Sequence, residues 1–104
     1  MAKQIPPTFP AGERQVQALG HRLRAARLRR RLTQAAVAAR VGVSKQTLAK
    51  LEAGNPATSV ATLLRFLLVL NLGEDIDKIA ADDELGRRLQ DLSQANPPRG
   101  RTVS

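Results

Sequence analysis

Cysteine is absent from this 104-residue chain, as are tryptophan and tyrosine; histidine and methionine occur once each and phenylalanine twice. Without thiols there can be neither a disulfide scaffold nor a thiolate zinc site, and the composition is compatible with a reducing compartment. Aromatics at 2% leave the core to Leu, Val and Ala, which pack well as helices and poorly as sheets. The expected fold is all-α, in one small domain with a single modest core. Long apolar runs are missing too. The most apolar window, VATLLRFLLVLNL at 60–72, is too short to span a bilayer and carries Arg65, and the N-terminal MAKQIPPTFP has no apolar stretch of signal-peptide type. A soluble, cytoplasmic protein without membrane contact is expected.

The sequence also lacks the groupings that carry catalysis. It has no glycine-rich phosphate loop, no His and acid cluster at metal-ligand spacing, and no nucleophile beside a base. His21 stands alone on a predicted helix, and Asp82, Asp83 and Glu84 read as the acids of a helix start, favoured there by the helix dipole. No enzyme activity, metal or cofactor is expected.

What the chain has in excess is positive charge, +8 in total and unevenly spread. Residues 1–31 hold eight bases and one acid, whereas residues 59–85 hold two bases and six acids. An asymmetric basic half is the electrostatic footprint of a polyanion binder, although a solvated face can look the same.

Residues 1–12, with Pro6, Pro7, Pro10 and Gly12, read as a flexible arm. From Glu13 to about Arg31, Val16, Leu19, Leu23 and Ala26 recur at helical spacing. Thr33 caps a second helix, QAAVAARV, with Val37, Ala38 and Val41 inward and Gly42 at its end. Ser44 caps a third, with Leu48 and Leu51 inward and Gly54 closing it before the Asn55-Pro56 turn. A fourth, opened by Thr58 or Ser59 and closed by Gly73, carries Val60, Leu63, Leu64, Phe66, Leu67, Leu68 and Leu70. Apolar on most sides, it must be central to the core or half committed to a subunit interface. EDIDKIA reads as a short fifth helix. A last one starts near Asp82 or Asp83 and bears Leu85, Leu89 and Leu92 in one stripe, before a tail, QANPPRGRTVS, without apolar pattern. The predicted organisation is an arm (1–12), a helical domain (13–80) and a C-terminal helix with disordered tail (81–104).

Two short helices joined by a three-residue turn must cross steeply. That crossing needs a small residue where the backbones approach, a left-handed residue in the turn and an apolar plug after it; Ala38, Gly42 and Val43 supply them. Residues 33–54, TQAAVAARVGVSKQTLAKLEAG, therefore carry a helix-turn-helix pattern. With the third helix in a major groove, Lys45, Gln46 and, one turn later, Lys50 can reach base edges, with Thr47 beside them. Lysine donates to guanine O6 and N7, and glutamine pairs with adenine N6 and N7. Gln34 lies in the first turn of the second helix, where free N–H groups and the helix dipole favour a phosphate. Ser44, either as cap or through its hydroxyl, and the backbone after Gly54 through Asn55 are further phosphate candidates, as are the helix 1 arginines, Arg22 and Arg24 among them.

The run L-T-Q-x-x-x-A-x-x-x-G-V-S-x-x-x-L-x-x-x-E-x-G, read from Leu32 to Gly54, resembles the Cro/C1-type (XRE) helix-turn-helix family, to which the phage repressors belong. The resemblance covers roughly residues 15–72. It implies a compact five-helix, lambda-repressor-like domain acting as a homodimeric repressor on double-stranded DNA with a palindromic operator. It also implies base readers at Lys45, Gln46 and Lys50, and a phosphate ligand at Gln34 that buttresses the recognition helix. A structural ion pair between Arg27 and Glu52 is implied as well. The family often has Asn where this chain has Ala53, so one backbone contact is in question. More weakly, DDELGRRLQDLSQANPPRGR resembles the C-terminus of HipB-like antitoxins, which implies an autoregulating antitoxin that binds a HipA-like serine/threonine kinase toxin. In that case the Leu85, Leu89, Leu92 stripe docks on the partner; otherwise it folds back on its own core or completes the dimer. The alternatives are a stand-alone XRE-type regulator and a protein-interaction module that kept the shape without binding DNA.

Overall fold

The computed structural model describes residues 9–95. Among them the chain is all-helical, with no strand: α1 (Pro10–Arg29), α2 (Gln34–Val41), α3 (Lys45–Glu52), α4 (Val60–Val69), a 3₁₀ helix (Gly73–Lys78) and α5 (Glu84–Ala95). The expected arm from 1 to 8 and the tail from 96 onward lie outside the described residues.

Local chemistry sets each boundary. Pro10 starts α1, where its fixed φ suits the first helical turn and its missing N–H is not needed, so Pro10 and Gly12 belong to the helix and not to the arm. Thr33, Ser44 and Ser59 cap α2, α3 and α4 through side-chain oxygens that accept the N–H of Ala36, Thr47 and Thr62. The C-termini of α1, α3 and α4 share one device. The residue after the cap turns left-handed at Arg31, Gly54 and Asn71, and the N–H of the next residue returns to a carbonyl five back: Leu32 to Arg27, Asn55 to Lys50, Leu72 to Leu67. The fourth helix thus ends at Asn71 and not at the expected Gly73, because asparagine tolerates the left-handed conformation. EDIDKIA forms a tighter 3₁₀ turn starting at Gly73 in place of an α-helix.

The core is one cluster built from four helices: Leu23 and Ala26 of α1, Val37, Ala38 and Val41 of α2, Leu48 and Leu51 of α3, and Phe66, Leu67 and Leu70 around α4. Phe66, Leu48 and Val37 are fully enclosed, and burial of each such side chain is worth about 1.5–3 kcal/mol. Half-buried Val43, just after the turn, packs against this cluster. Only part of α4 is central, since Val60 and Leu68 remain exposed. The fold-back expectation for α5 is not met. None of its residues is buried, and Leu85, Leu89 and Leu92 stay 67%, 57% and 67% exposed. The three acids before it are locally engaged: Asp83 caps Gly86, Asp82 pairs with Arg87 and Glu84 with Arg88. No described helix is long and apolar enough to cross a membrane.

Candidate nucleic-acid interface

The α2–α3 crossing follows from three adjacent positions. Ala38 is buried where the helices meet, and its carbonyl accepts the N–H of both Gly42 and Val43. Gly42 has φ +86°, a conformation that costs an L side chain about 1–2 kcal/mol. A Cβ there would meet nothing within 4 Å, so dihedral strain alone demands the glycine. Ser44 then starts α3.

On α3, at about 100° per residue, Lys45, Gln46 and Lys50 fall within an arc of about 140°, and Leu48, Leu51 and Glu52 occupy a separate arc of about 100°. The first three are exposed and the last three buried. Gln46 and Lys50 therefore project away from core-facing Leu48 and Leu51, while exposed Lys45, in the first turn, lies on the edge next to the line of Glu52. Thr47 is half-buried, and its hydroxyl bonds Ser44 Oγ at 2.9 Å. That leaves it a weaker candidate for reading bases than its neighbours. Ser44 Oγ also accepts the Thr47 N–H, so its hydroxyl serves the cap.

Behind the reading face, α1 and α3 are locked by charge. Arg27 donates from Nε to Glu52 Oε2 at 2.7 Å and from Nη2 to Glu52 Oε1 at 2.9 Å, and its Nη1 donates to the Leu32 carbonyl at 2.8 Å. Gln34 Nε2 donates to Glu52 Oε1 at 3.0 Å. The bonds it donates to Glu52 hold the Arg27 guanidinium above its already high ordinary pKa, against the opposing effect of burial. One carboxylate so ties α1, the start of α2 and the end of α3 into a single unit. Gln34 is thereby a buttress of α3, with one of its two amide N–H donors given to Glu52.

Arg24, Arg27, Thr33, Gln34, Ala35 and Lys45 line one open cleft of about 570 Å³. It joins the N-terminus of α2 to the N-terminus of α3, with Arg24 and Lys45 supplying charge. Arg22 is not part of this face, contrary to the expectation that grouped it with Arg24. Two residues apart on a helix lie about 200° apart, and Arg22 instead lines a groove with Leu23, Leu67 and Ile76. Asn55 also differs from expectation. Its main-chain N–H is bonded to Lys50 O and its Oδ1 accepts the Ala57 N–H, so a phosphate would meet its side-chain nitrogen and not its backbone.

Gly20 is a further determinant, which the apolar spacing of α1 did not single out. A Cβ on it would lie 2.5 Å from Glu52 O and 2.8 Å from Gly54 N, and one on Gly54 would lie 2.5 Å from Gln17 Cα. The α1 backbone thus rests directly on the end of α3. A glycine inside an otherwise good helix, where it costs about 1 kcal/mol against alanine, was the signal for a close approach.

A steep pair of short helices, a solvent-facing polar arc on the second and basic groups beside both N-termini together make the architecture of a DNA-binding regulator. Residues 18–77 match the family model described as a helix-turn-helix domain, over more than half the chain, and the chain belongs to that family. The match agrees with the resemblance to Cro/C1-type proteins. Comparisons with curated proteins and with solved structures gave no match.

Proposed function

We propose that this protein is a sequence-specific transcriptional repressor that binds a palindromic operator as a homodimer, with α3 of each copy in a major groove. The observation that carries the reading is the division of α3: Lys45, Gln46 and Lys50 are exposed together while Leu48, Leu51 and Glu52 anchor the same helix from behind. Lys45 and Gln46, nearest the helix start, reach base edges, and Lys50 follows one turn later. Arg24, the free N–H groups at the start of α2, Ser44's neighbouring amides and Asn55 Nδ2 hold phosphates on either side. Dimerisation is supported by the three leucines of α5 that the isolated chain leaves exposed.

The work assigned to these residues is binding, with no catalysis, cofactor or metal, and its place is the cytoplasm. Autoregulation as a HipB-like antitoxin with a HipA-like kinase partner rests on the resemblance of the C-terminal segment alone, and the geometry favours it no further than a stand-alone regulator. A shape-only interaction module is the reading least in keeping with three base-reading side chains on one face. Footprinting on the DNA upstream of the chain's own gene tests the proposal: a symmetric protected site supports it, and uniform protection with no preferred site contradicts it.

A further inference from the structure

The groove lined by Leu19, Leu23, Leu63, Leu67, Ile76 and Ile79, between α1, α4 and the 3₁₀ helix, has a volume of about 430 Å³, with Arg22, Arg29 and Asp75 also on its wall. Its floor is apolar and open. The same chain presents an uncovered apolar helix face of matching form. Leu85, Leu89 and Leu92 fall within an arc of about 60° and all three are exposed. We propose that α5 of one copy lays this stripe in the groove of a second copy, and reciprocally, so that the homodimer is held by exchange of α5. The inference rests on the homodimer of the proposed function and names its interface.

Length and chain geometry select this occupant. The α1 wall runs from Leu19 to Arg29, about 15 Å of helix, and the stripe from Leu85 to Leu92 about 10 Å, so one α5 fits one groove in the manner of a helix-in-groove contact. Arg22 and Arg29 hold no ion pair among the described residues, whereas Asp75 already pairs with Lys78. On α5, Arg87 and Arg88 are neutralised by Asp82 and Glu84. Arg88, the charge that flanks the stripe about 40° from Leu92, is thus paired with Glu84 and does not oppose the arginines of the groove.

The chain's own groove is reached less readily than a neighbour's. Ile79 sits at its lip, yet the next four residues carry α5 away from it. Ala80 is left-handed with φ +59°, the Ala81 N–H returns to Lys78 O, Asp83 Oδ1 caps Gly86 and Arg87 pairs with Asp82. Reversal at Ala80 and Ala81 would break the Ala81–Lys78 bond, whereas a two-fold exchange keeps it. It also makes two identical contacts in one closed assembly.

Sedimentation equilibrium of the full chain tests the exchange, with circular dichroism to monitor folding. The expected result is a wild-type dimer that a Leu85→Ser, Leu89→Ser, Leu92→Ser variant weakens by about 100-fold or more without loss of thermal stability in the monomer. Val60→Ser with Leu68→Ser on α4 leaves it intact. The proposal is overturned by a dimer indifferent to the α5 variant or lost only with the α4 variant. A monomeric wild type overturns it too, including one whose melting temperature falls with the α5 variant because the helix lies in its own groove. DNA binding is scored separately by its loss in Lys45→Ala. Lys45-dependent binding without exchange leaves the DNA reading standing, and exchange without it removes that reading alone.

Discussion

Arg27 and Glu52 stand twenty-five residues apart in sequence and meet in a two-pronged contact at 2.7 and 2.9 Å, with 5% and 3% of their surfaces exposed. Neither charge touches solvent enough to be hydrated, so each depends on the other. The pair fixes the angle of the recognition helix against α1, and Gln34 completes it from α2.

Removing one partner therefore leaves a buried charge. Arg27→Met or Glu52→Leu is expected to cost about 3–5 kcal/mol in chemical denaturation, and the double variant less than either single one. Additive single losses would show that the two groups act independently.

Gly20→Ala sets helix propensity against packing. Alanine gains about 1 kcal/mol in a free helix, but its Cβ would fall 2.5 Å from a main-chain oxygen of α3. Overpacking against backbone should win, giving a net loss of about 1–3 kcal/mol. A higher melting temperature for the variant would refute the close approach.

Arg31 is left-handed, with φ +55°. Arg31→Gly relieves strain of about 1–2 kcal/mol while adding some freedom to the unfolded chain. A net gain of about 0.5–1 kcal/mol, seen as a melting temperature a few degrees higher, is the expected outcome of a thermal scan.

Arg24 and Arg22 are distinguished by the salt dependence of DNA binding. With about eight phosphates neutralised by a dimer, log K falls with log[salt] at a slope of about −7. At protein concentrations well above the dimer dissociation constant, Arg24→Ala should flatten the slope by about 1 per copy and Arg22→Ala should leave it unchanged. Equal effects would place both arginines on the DNA.

Much of this was legible from the residues because it is local. Thr33, Ser44 and Gly42 announce two short helices and the turn between them, and the alternation of Leu48 and Leu51 with Lys45, Gln46 and Lys50 separates an inner from an outer face. What escaped depends on three-dimensional placement. The spacing of α1 shows that Arg22 and Arg24 are both polar, but not which one shares a cleft with Lys45. Asn71 outcompeted Gly73 as a helix stop because the carbonyl of Leu67 was in reach of Leu72 N–H, a contact invisible in composition. The leucine stripe of α5 showed an amphipathic helix without revealing that its apolar face would stay open.

The central claim is that α3 reads bases through Lys45 and Gln46. It is tested most directly by fluorescence anisotropy on the footprinted operator and on a scrambled duplex at one fixed salt concentration. Wild type is expected to prefer the operator, and Lys45→Ala or Gln46→Ala to lose about 1–3 kcal/mol on it while changing little on scrambled DNA. Equal wild-type affinity for both duplexes would contradict the account.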